Sequence, residues 1–290
     1  MFVILGANGQ TGGAVARVLL QQDLPVRVVL RPGRDGREWA SRGAEVAHAD
    51  VHDAAALSDA FTGAQAAYVL NPPDYGSEDM LVSARSIAES YRTALDATGT
   101  RAVALSSIGA QHPEGTGNIV TTHILEQVLH TVGASFVRPG NFMPNWLPSL
   151  PAMRTGVLPS FFSPLDKPVP HAAVEDIART VVRELQRPDS RTVELAAATD
   201  CSPNDVASAF SAGLGQPVTA QVIERDDWRQ ALSQWGLPEA ALASWVELWE
   251  GFNTGYISFE GTPERGETTM NGFAQASVNQ VEVNQVEVQQ

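Results

Sequence analysis

Short apolar runs alternate with longer stretches of helical periodicity over the first half of the chain. Phe2 to Leu5, Val26 to Leu30, Glu45 to His48, Ala66 to Leu70, Ala102 to Ser106 and Ser135 to Val137 read as short buried strands. Between them, helical runs cover Ala14 to Gln22, Glu38 to Ala40, Asp53 to Phe61, Ser77 to Ala97 and Ile119 to His130. Gly99 reads as a left-handed cap to the fourth run, and the fifth ends at Gly133. Strands and helices at this spacing imply parallel βαβ units with right-handed crossovers. The predicted fold class is α/β, a Rossmann-type doubly wound parallel sheet.

After Arg138-Pro139-Gly140 the rhythm breaks. Residues 141–170 carry seven prolines among aromatics, which reads as loop with brief helices. Val174 to Leu185 returns to helix and Thr192 to Ala197 to strand, and Ser202-Pro203 opens another helix with an N-cap and a proline at its first position. Asp226 to Phe252 reads as helical and holds four of the six tryptophans. The expected organisation is a dinucleotide-binding unit over 1–140, completed by 171–198, with a mostly helical substrate lobe from 141–170 and 199–276. In the tail, 277–290, Val278-Asn-Gln-Val-Glu repeats from Val283 with a period of five. That period suits neither helix nor strand, so the tail is expected to be unstructured, with an added edge strand as the alternative.

Charge narrows the partners. The formal net charge is −14, which disfavours nucleic acid and anionic membrane surfaces, since both ask for a basic face. One cysteine, Cys201, excludes an internal disulfide framework and a cysteine-built metal site. The histidines show no ligand spacing with acids, so no metal is expected. A strand at the very first residues, without a basic leader, and no apolar run of membrane-spanning length point to a cytoplasmic protein. A homodimer is the base-rate expectation for its assembly.

The candidate chemistry starts at Gly6-Ala-Asn-Gly9-Gln-Thr-Gly12, set between the first strand and the first helix. There, one glycine permits a tight turn, the next lets backbone approach a pyrophosphate, and the third lets helix and strand pack closely. The helix N-terminus offers N–H groups and a positive dipole end to the anion. Gln10 and Thr11 would add side-chain donors, and Asn8 belongs to the same cofactor-binding turn. The second strand ends Leu30-Arg31-Pro-Gly-Arg34, with no acid at its tip. An acid there would serve the ribose hydroxyl of NAD; Arg31, supported by Arg34 or Arg37, suits the 2′-phosphate of NADP(H). Asp50 is placed to meet the adenine amino group, and Asn71-Pro72-Pro73 to wall the nicotinamide ribose, although each also reads as plain turn chemistry.

Several of these segments together resemble the atypical short-chain dehydrogenase/reductases of the NmrA-like group, and within it the quinone-reducing branch. The matching pieces are GANGQTG (6–12), LRPGR (30–34), ADVHD (49–53), LNPP (70–73), SSIGA (106–110), HILE (123–126), RPGNFMPNW (138–146), VEDIA (174–178) and ERGETTMNGF (264–273). The resemblance implies NADP(H) at the glycine turn and a substrate cleft between two lobes. It also places His123 at the nicotinamide pocket as a hydrogen-bond or proton donor, with Glu126, three residues on and so on the same helix face, orienting it. An ordinary helical pair is the plainer reading of those two. Ser106 would touch cofactor or substrate, and Tyr75, Asn141, Phe142 and Trp146 would border the substrate pocket.

One departure carries weight. Ordinary short-chain dehydrogenases use a tyrosine and a lysine four residues apart on the helix after the fifth strand, the lysine preparing the tyrosine to protonate a carbonyl oxygen. Here that helix has no tyrosine, and Lys167, the only lysine, lies outside it. Two functions fit. One is an NADPH-dependent reductase of a flat conjugated acceptor such as a quinone, an azo compound, an imine or an activated C=C bond. The other is a non-catalytic NADP(H)-sensing regulator.

Overall fold

The computed structural model describes the chain except Pro73, Tyr75, Ser77, Glu78, Gln234, Trp235, Leu237, Gln289 and Gln290, with backbone alone at Ala240 and 281–288. Strand and helix alternate from the start as β1 (Phe2–Leu5), α1 (Gln10–Gln21), β2 (Val26–Leu30), α2 (Arg37–Ser41), β3 (Glu45–His48), α3 (Ala54–Phe61), β4 (Ala66–Leu70), α4 (Met80–Thr98), β5 (Arg101–Leu105), α5 (Val120–Leu129) and β6 (Ser135–Pro139). The remainder comprises β7 (Asn141–Phe142), α6 (Leu150–Met153), β8 (Val157–Ser160), β9 (His171–Ala172), α7 (Val174–Gln186), β10 (Thr192–Ala196) and α8 (Pro203–Leu214). Then follow β11 (Thr219–Val222), α9 (Trp228–Ser233), α10 (Glu239–Thr254), β12 (Glu264–Arg265) and α11 (Met270–Val288).

The main sheet has eight strands in the order β12-β10-β6-β5-β4-β1-β2-β3, every pair parallel. It is the doubly wound architecture expected. Chain order reverses between β1 and β4, so a crevice opens there at the carboxyl ends of the strands. Both faces of the sheet are buried, which is why its strands are continuous apolar runs such as Phe2-Val-Ile-Leu5, all at most 3% exposed. One face packs against α1 and α7 around Val15, Leu19, Ile177 and Val181, and the other against α3, α4 and α5 around Leu57, Phe61, Tyr91 and Leu125.

A third cluster, built around Trp146, Phe162, Phe210, Trp228 and Trp249, is the core of the C-terminal half. The residues read as loop over 141–170 contribute the short strands β7 and β8, which pair with β9 and β11 in two small sheets. Two helix boundaries also differ from expectation. The fourth helix starts at Met80, because the Asp79 carboxylate accepts from the backbone of Leu81 and Val82 and so caps it there. The tryptophan-rich helix divides into α9 and α10, with Pro238 as the N-cap of the second.

The tail is a correction. Instead of an unstructured segment from 277, α11 continues to Val288. Ala274 and Val278, one helical turn apart, are both buried. They pack beside Gly213 of α8, where a β-carbon would already lie 3.4 Å from Val278. Among the described side chains, the apolar contacts of this helix include Met270, Ala274 and Val278.

Candidate functional site: a glycine turn facing two arginines

Gly6 adopts φ +65°, and a β-carbon there would lie 2.8 Å from Leu70, so the turn after β1 requires glycine on both counts. Gly12 has no such backbone need. Its β-carbon would instead lie 2.4 Å from the Gly6 carbonyl oxygen and 2.5 Å from that of Leu5, so it sets how closely α1 approaches β1. No side chain caps α1, and its first turn contains no acid. Its leading N–H groups therefore have no capping side chain among the described residues. Thr11 is braced from below by the Tyr68 hydroxyl, which donates to Oγ1 at 3.0 Å. Burial pushes the Tyr68 phenol well above its ordinary range, so it stays a donor and the Thr11 proton remains available.

The turn opens on a cleft of about 730 Å³. Its walls include Asn8, Gln10, Arg31, Arg34, Pro72 and Phe142. Pro32 and Gly33, the latter at φ +78°, form a tight turn closed by Arg34 N–H donating to Arg31 O. That turn brings both guanidinium groups to the cleft, and neither pairs with a carboxylate among the described residues. Arg37 does not join them: its guanidinium is bound by Asp35 at 2.6 Å and points into solvent. Asp50 is exposed and accepts from the His52 N–H at 2.9 Å, while its neighbours Ala49 and Val51 line the cleft.

The residues expected near the nicotinamide divide. Pro72 lines the cleft; Pro73 and Tyr75 lie outside the described residues. The Asn71 side chain is turned inward and donates to the Thr121 carbonyl at 3.1 Å, so it ties β4 to α5. His123 is half-buried, with Nδ1 2.8 Å from the Ala110 carbonyl. A carbonyl only accepts, so this bond places the proton on Nδ1 and leaves Nε2 as the nitrogen open to other partners.

Glu126 does not orient His123. Its carboxylate accepts a fork from Arg138, Nε at 2.8 Å and Nη2 at 2.6 Å, together with the Ser106 hydroxyl at 2.5 Å. Both partners of the ion pair are about nine-tenths buried. Three residues' separation puts His123 and Glu126 on one side of α5, but a buried guanidinium claims the carboxylate first. The Ser106 hydroxyl donates its proton to Glu126 and keeps only its oxygen lone pairs for another partner. Arg138 also reaches Glu260. Desolvation alone would lower the Arg138 pKa, but the hydrogen bonds and charge of Glu126 outweigh it and raise the value above its ordinary range. The sequence shows no local signal for this cluster, because its members come from β5, α5, β6 and the loop before β12.

Of the expected substrate contacts, Phe142 lines the cleft. Asn141 is buried and accepts from Asn145 at 2.9 Å. Trp146 is corrected to a core residue: it is 5% exposed, packs on Phe162 and donates from Nε1 to His171 Nε2 at 3.0 Å. His171 is fully enclosed, and burial depresses its pKa to about 4. A second cavity has a volume of about 740 Å³. It is bounded by Asp74, Met80 and Leu81, by the loop from Pro113 to Gly117, and by Val246 and Glu247 of α10. Among the described residues no group of three or more His, Cys, Asp or Glu could hold a metal ion, and no helix is long and apolar enough to cross a membrane.

A fold of this topology with a glycine turn and an arginine-tipped second strand defines a class of dinucleotide-binding proteins, and sequence comparison specifies which. Residues 1–265 match the NmrA-like family, and the chain belongs to it. It is 26% identical over 255 residues to the NAD(P)H azoreductase of Xenophilus azovorans, covering 86% of each chain. It is also 26% identical over 252 residues to quinone oxidoreductase 2 of Escherichia coli, covering 82% of this chain and 83% of that one. Among solved structures, the Citrobacter triphenylmethane reductase complexed with NADP(H) superposes with a TM-score of 0.77 at 17% identity, covering 96% of this chain and 100% of the other. The negative transcriptional regulator NmrA with NAD superposes with a TM-score of 0.74 at 16% identity, covering 98% and 97%.

Proposed function

We propose that the chain is an NADPH-dependent reductase that transfers hydride to a conjugated acceptor, a quinone or an azo, imine or activated C=C compound. The observation that carries this reading is the cleft itself: an uncapped helix N-terminus and two guanidinium groups without carboxylate partners share one cavity. That donor set fits a dinucleotide with a pyrophosphate and a 2′-phosphate. When bound, the reduced nicotinamide supplies the hydride. The NAD(P)H-dependent and quinone-reducing names of the relatives agree with this assignment.

The chain's own residues then have separate tasks. The first turn of α1 holds the pyrophosphate through backbone N–H groups, and Arg31 with Arg34 holds the 2′-phosphate. Pro72 and Phe142 wall the cleft with groups that exclude water. The second cavity takes the acceptor against Met80, Leu81 and Val246. His123 stabilises the reduced oxygen through Nε2. With Nδ1–H committed to Ala110, neutral His123 has a lone pair at Nε2, so it donates only as the imidazolium. A quinone suits such a site, because its reduced oxygen is stable as a phenolate and needs no strong acid. The commitment of Glu126 to Arg138 removes it as a relay to His123, which also favours a second reading as an NADP(H)-sensing regulator.

The test is NADPH oxidation by the purified chain with a panel of quinones and azo dyes, beside direct measurement of NADPH binding. Saturable, acceptor-dependent oxidation that Gly12→Ala abolishes supports the reductase. Tight binding with no oxidation across the panel overturns it in favour of the sensor.

A further inference from the structure

One residue of the glycine turn is held by a side chain from outside it. Trp39 of α2 is 4% exposed and does not border the cleft, yet its indole Nε1 lies 2.9 Å from Asn8 Oδ1. An indole nitrogen only donates, so the contact fixes which end of the amide faces it: the oxygen accepts, and the NH2 group faces away. Asn8 lines the cleft, and its Nδ2 has no partner among the described residues. The tryptophan is itself firmly seated. Gly36, before α2, is packed so closely on β3 that a β-carbon would lie 2.5 Å from Val46. Arg42 covers the indole ring at 5.9 Å while pairing with Glu38.

We infer that Trp39 is a positioning residue for cofactor binding: its N–H locks the Asn8 amide so that both Nδ2 hydrogens are presented to a phosphate group of the bound dinucleotide. The inference rests on the cofactor reading above and assigns a role to a buried residue that never reaches the ligand. Without that bond the Asn8 side chain is held in neither one amide orientation nor one rotamer, and its donor is lost to the anion. The orienting bond also joins the glycine turn to the helix that follows the Arg31–Arg34 turn, so the two halves of the anion site are set against each other.

The experiment is titration of NADPH and NADH into the full chain and its variants, with urea denaturation as the control for folding. Trp39→Phe keeps the ring bulk and removes the N–H. It should weaken NADPH binding roughly three- to tenfold, the effect of one net hydrogen bond. Asn8→Ala should weaken it to a similar extent, and adding Trp39→Phe to Asn8→Ala should cause no further loss. A merely structural tryptophan would give losses that add. A loss confined to NADPH assigns the donor to the 2′-phosphate, and an equal loss for NADH assigns it to the pyrophosphate; both support the lock. Unchanged affinity in Trp39→Phe, or full additivity, overturns it. Should Trp39→Phe fail to fold, Asn8→Asp serves, since its carboxylate accepts the same indole bond but has no donor to offer. That variant should bind more weakly than Asn8→Ala, and wild-type affinity would overturn the inference. A wild-type chain that binds neither dinucleotide refutes the cofactor reading and the lock together, which separates that failure from a lock that fails alone.

Discussion

Glu126→Gln separates a structural carboxylate from a catalytic one. The substitution keeps the side chain's shape but puts an amide NH2 or a single carbonyl oxygen against a guanidinium that expects two anionic oxygens. In the native protein Arg138 donates to Glu126 at 2.8 and 2.6 Å, with side-chain exposures of 8% and 11%. Breaking a buried pair from one side costs about 3–5 kcal/mol, because the remaining charge is left without compensation. Here Arg138 keeps Glu260, whose side chain is 59% exposed, and Glu194 at 3.9 Å, so the lower end applies, about 3 kcal/mol. For a chain of this length that amounts to a fall of roughly 5 °C in Tm. Urea denaturation should show a lower midpoint with an unchanged slope. NADPH-dependent turnover, measured where the variant is still folded, should retain most of the wild-type value. A wild-type midpoint combined with lost turnover would refute the reasoning and return Glu126 to the role of orienting His123.

Arg31→Ala should weaken NADPH by roughly ten- to a hundredfold, the worth of hydrogen bonds to a charged group, and leave NADH nearly unchanged; equal losses in parallel titrations would remove Arg31 from the 2′-phosphate. Gly12→Ala should lower both stability and dinucleotide affinity, since a β-carbon 2.4 Å from the Gly6 oxygen forces α1 away from β1; a wild-type melting curve with intact binding would contradict that. His123→Gln should lower quinone turnover with little change in NADPH affinity, and unchanged kcat would leave His123 a helix-to-loop tie through Ala110. The folded protein holds His171 neutral down to about pH 4, whereas the unfolded chain protonates it near 6.5, so protons favour unfolding between those values. Stability should therefore fall by up to about 3 kcal/mol from this group as pH drops from 6.5 to 4, and a His171→Asn variant whose urea midpoint keeps the full wild-type pH slope would exclude the assignment.

The parts legible in the sequence are those whose physics is local. The glycine turn could be read because a φ of +65° at Gly6 and the close helix approach at Gly12 both demand glycine at fixed offsets from a strand. Arg31 and Arg34 could be read because Pro32-Gly33 turns the chain between them. The strands could be read because a sheet covered on both faces has uniformly apolar strands. Interactions across distant segments were not legible. Ser106, Glu126 and Arg138 come from three successive elements, and nothing in HILE or RPGN shows that the carboxylate is already claimed. Trp146 is a related case: an indole just after the RPGN turn suits a pocket wall and a core equally, and only the buried acceptor at His171 decides between them. The Trp39 contact to Asn8 spans 31 residues and joins two motifs each interpretable alone. In both cases the sequence placed the right residue types at the carboxyl edge of the sheet. Which of them face the cleft was settled by competition for hydrogen-bond partners, and a buried partner wins that competition because leaving it unpaired is the more costly alternative. The groups left for ligand chemistry are therefore those with no internal claimant, which is why Arg31, Arg34 and the Asn8 Nδ2, whose Oδ1 alone is claimed by Trp39, carry the functional argument and Glu126 does not.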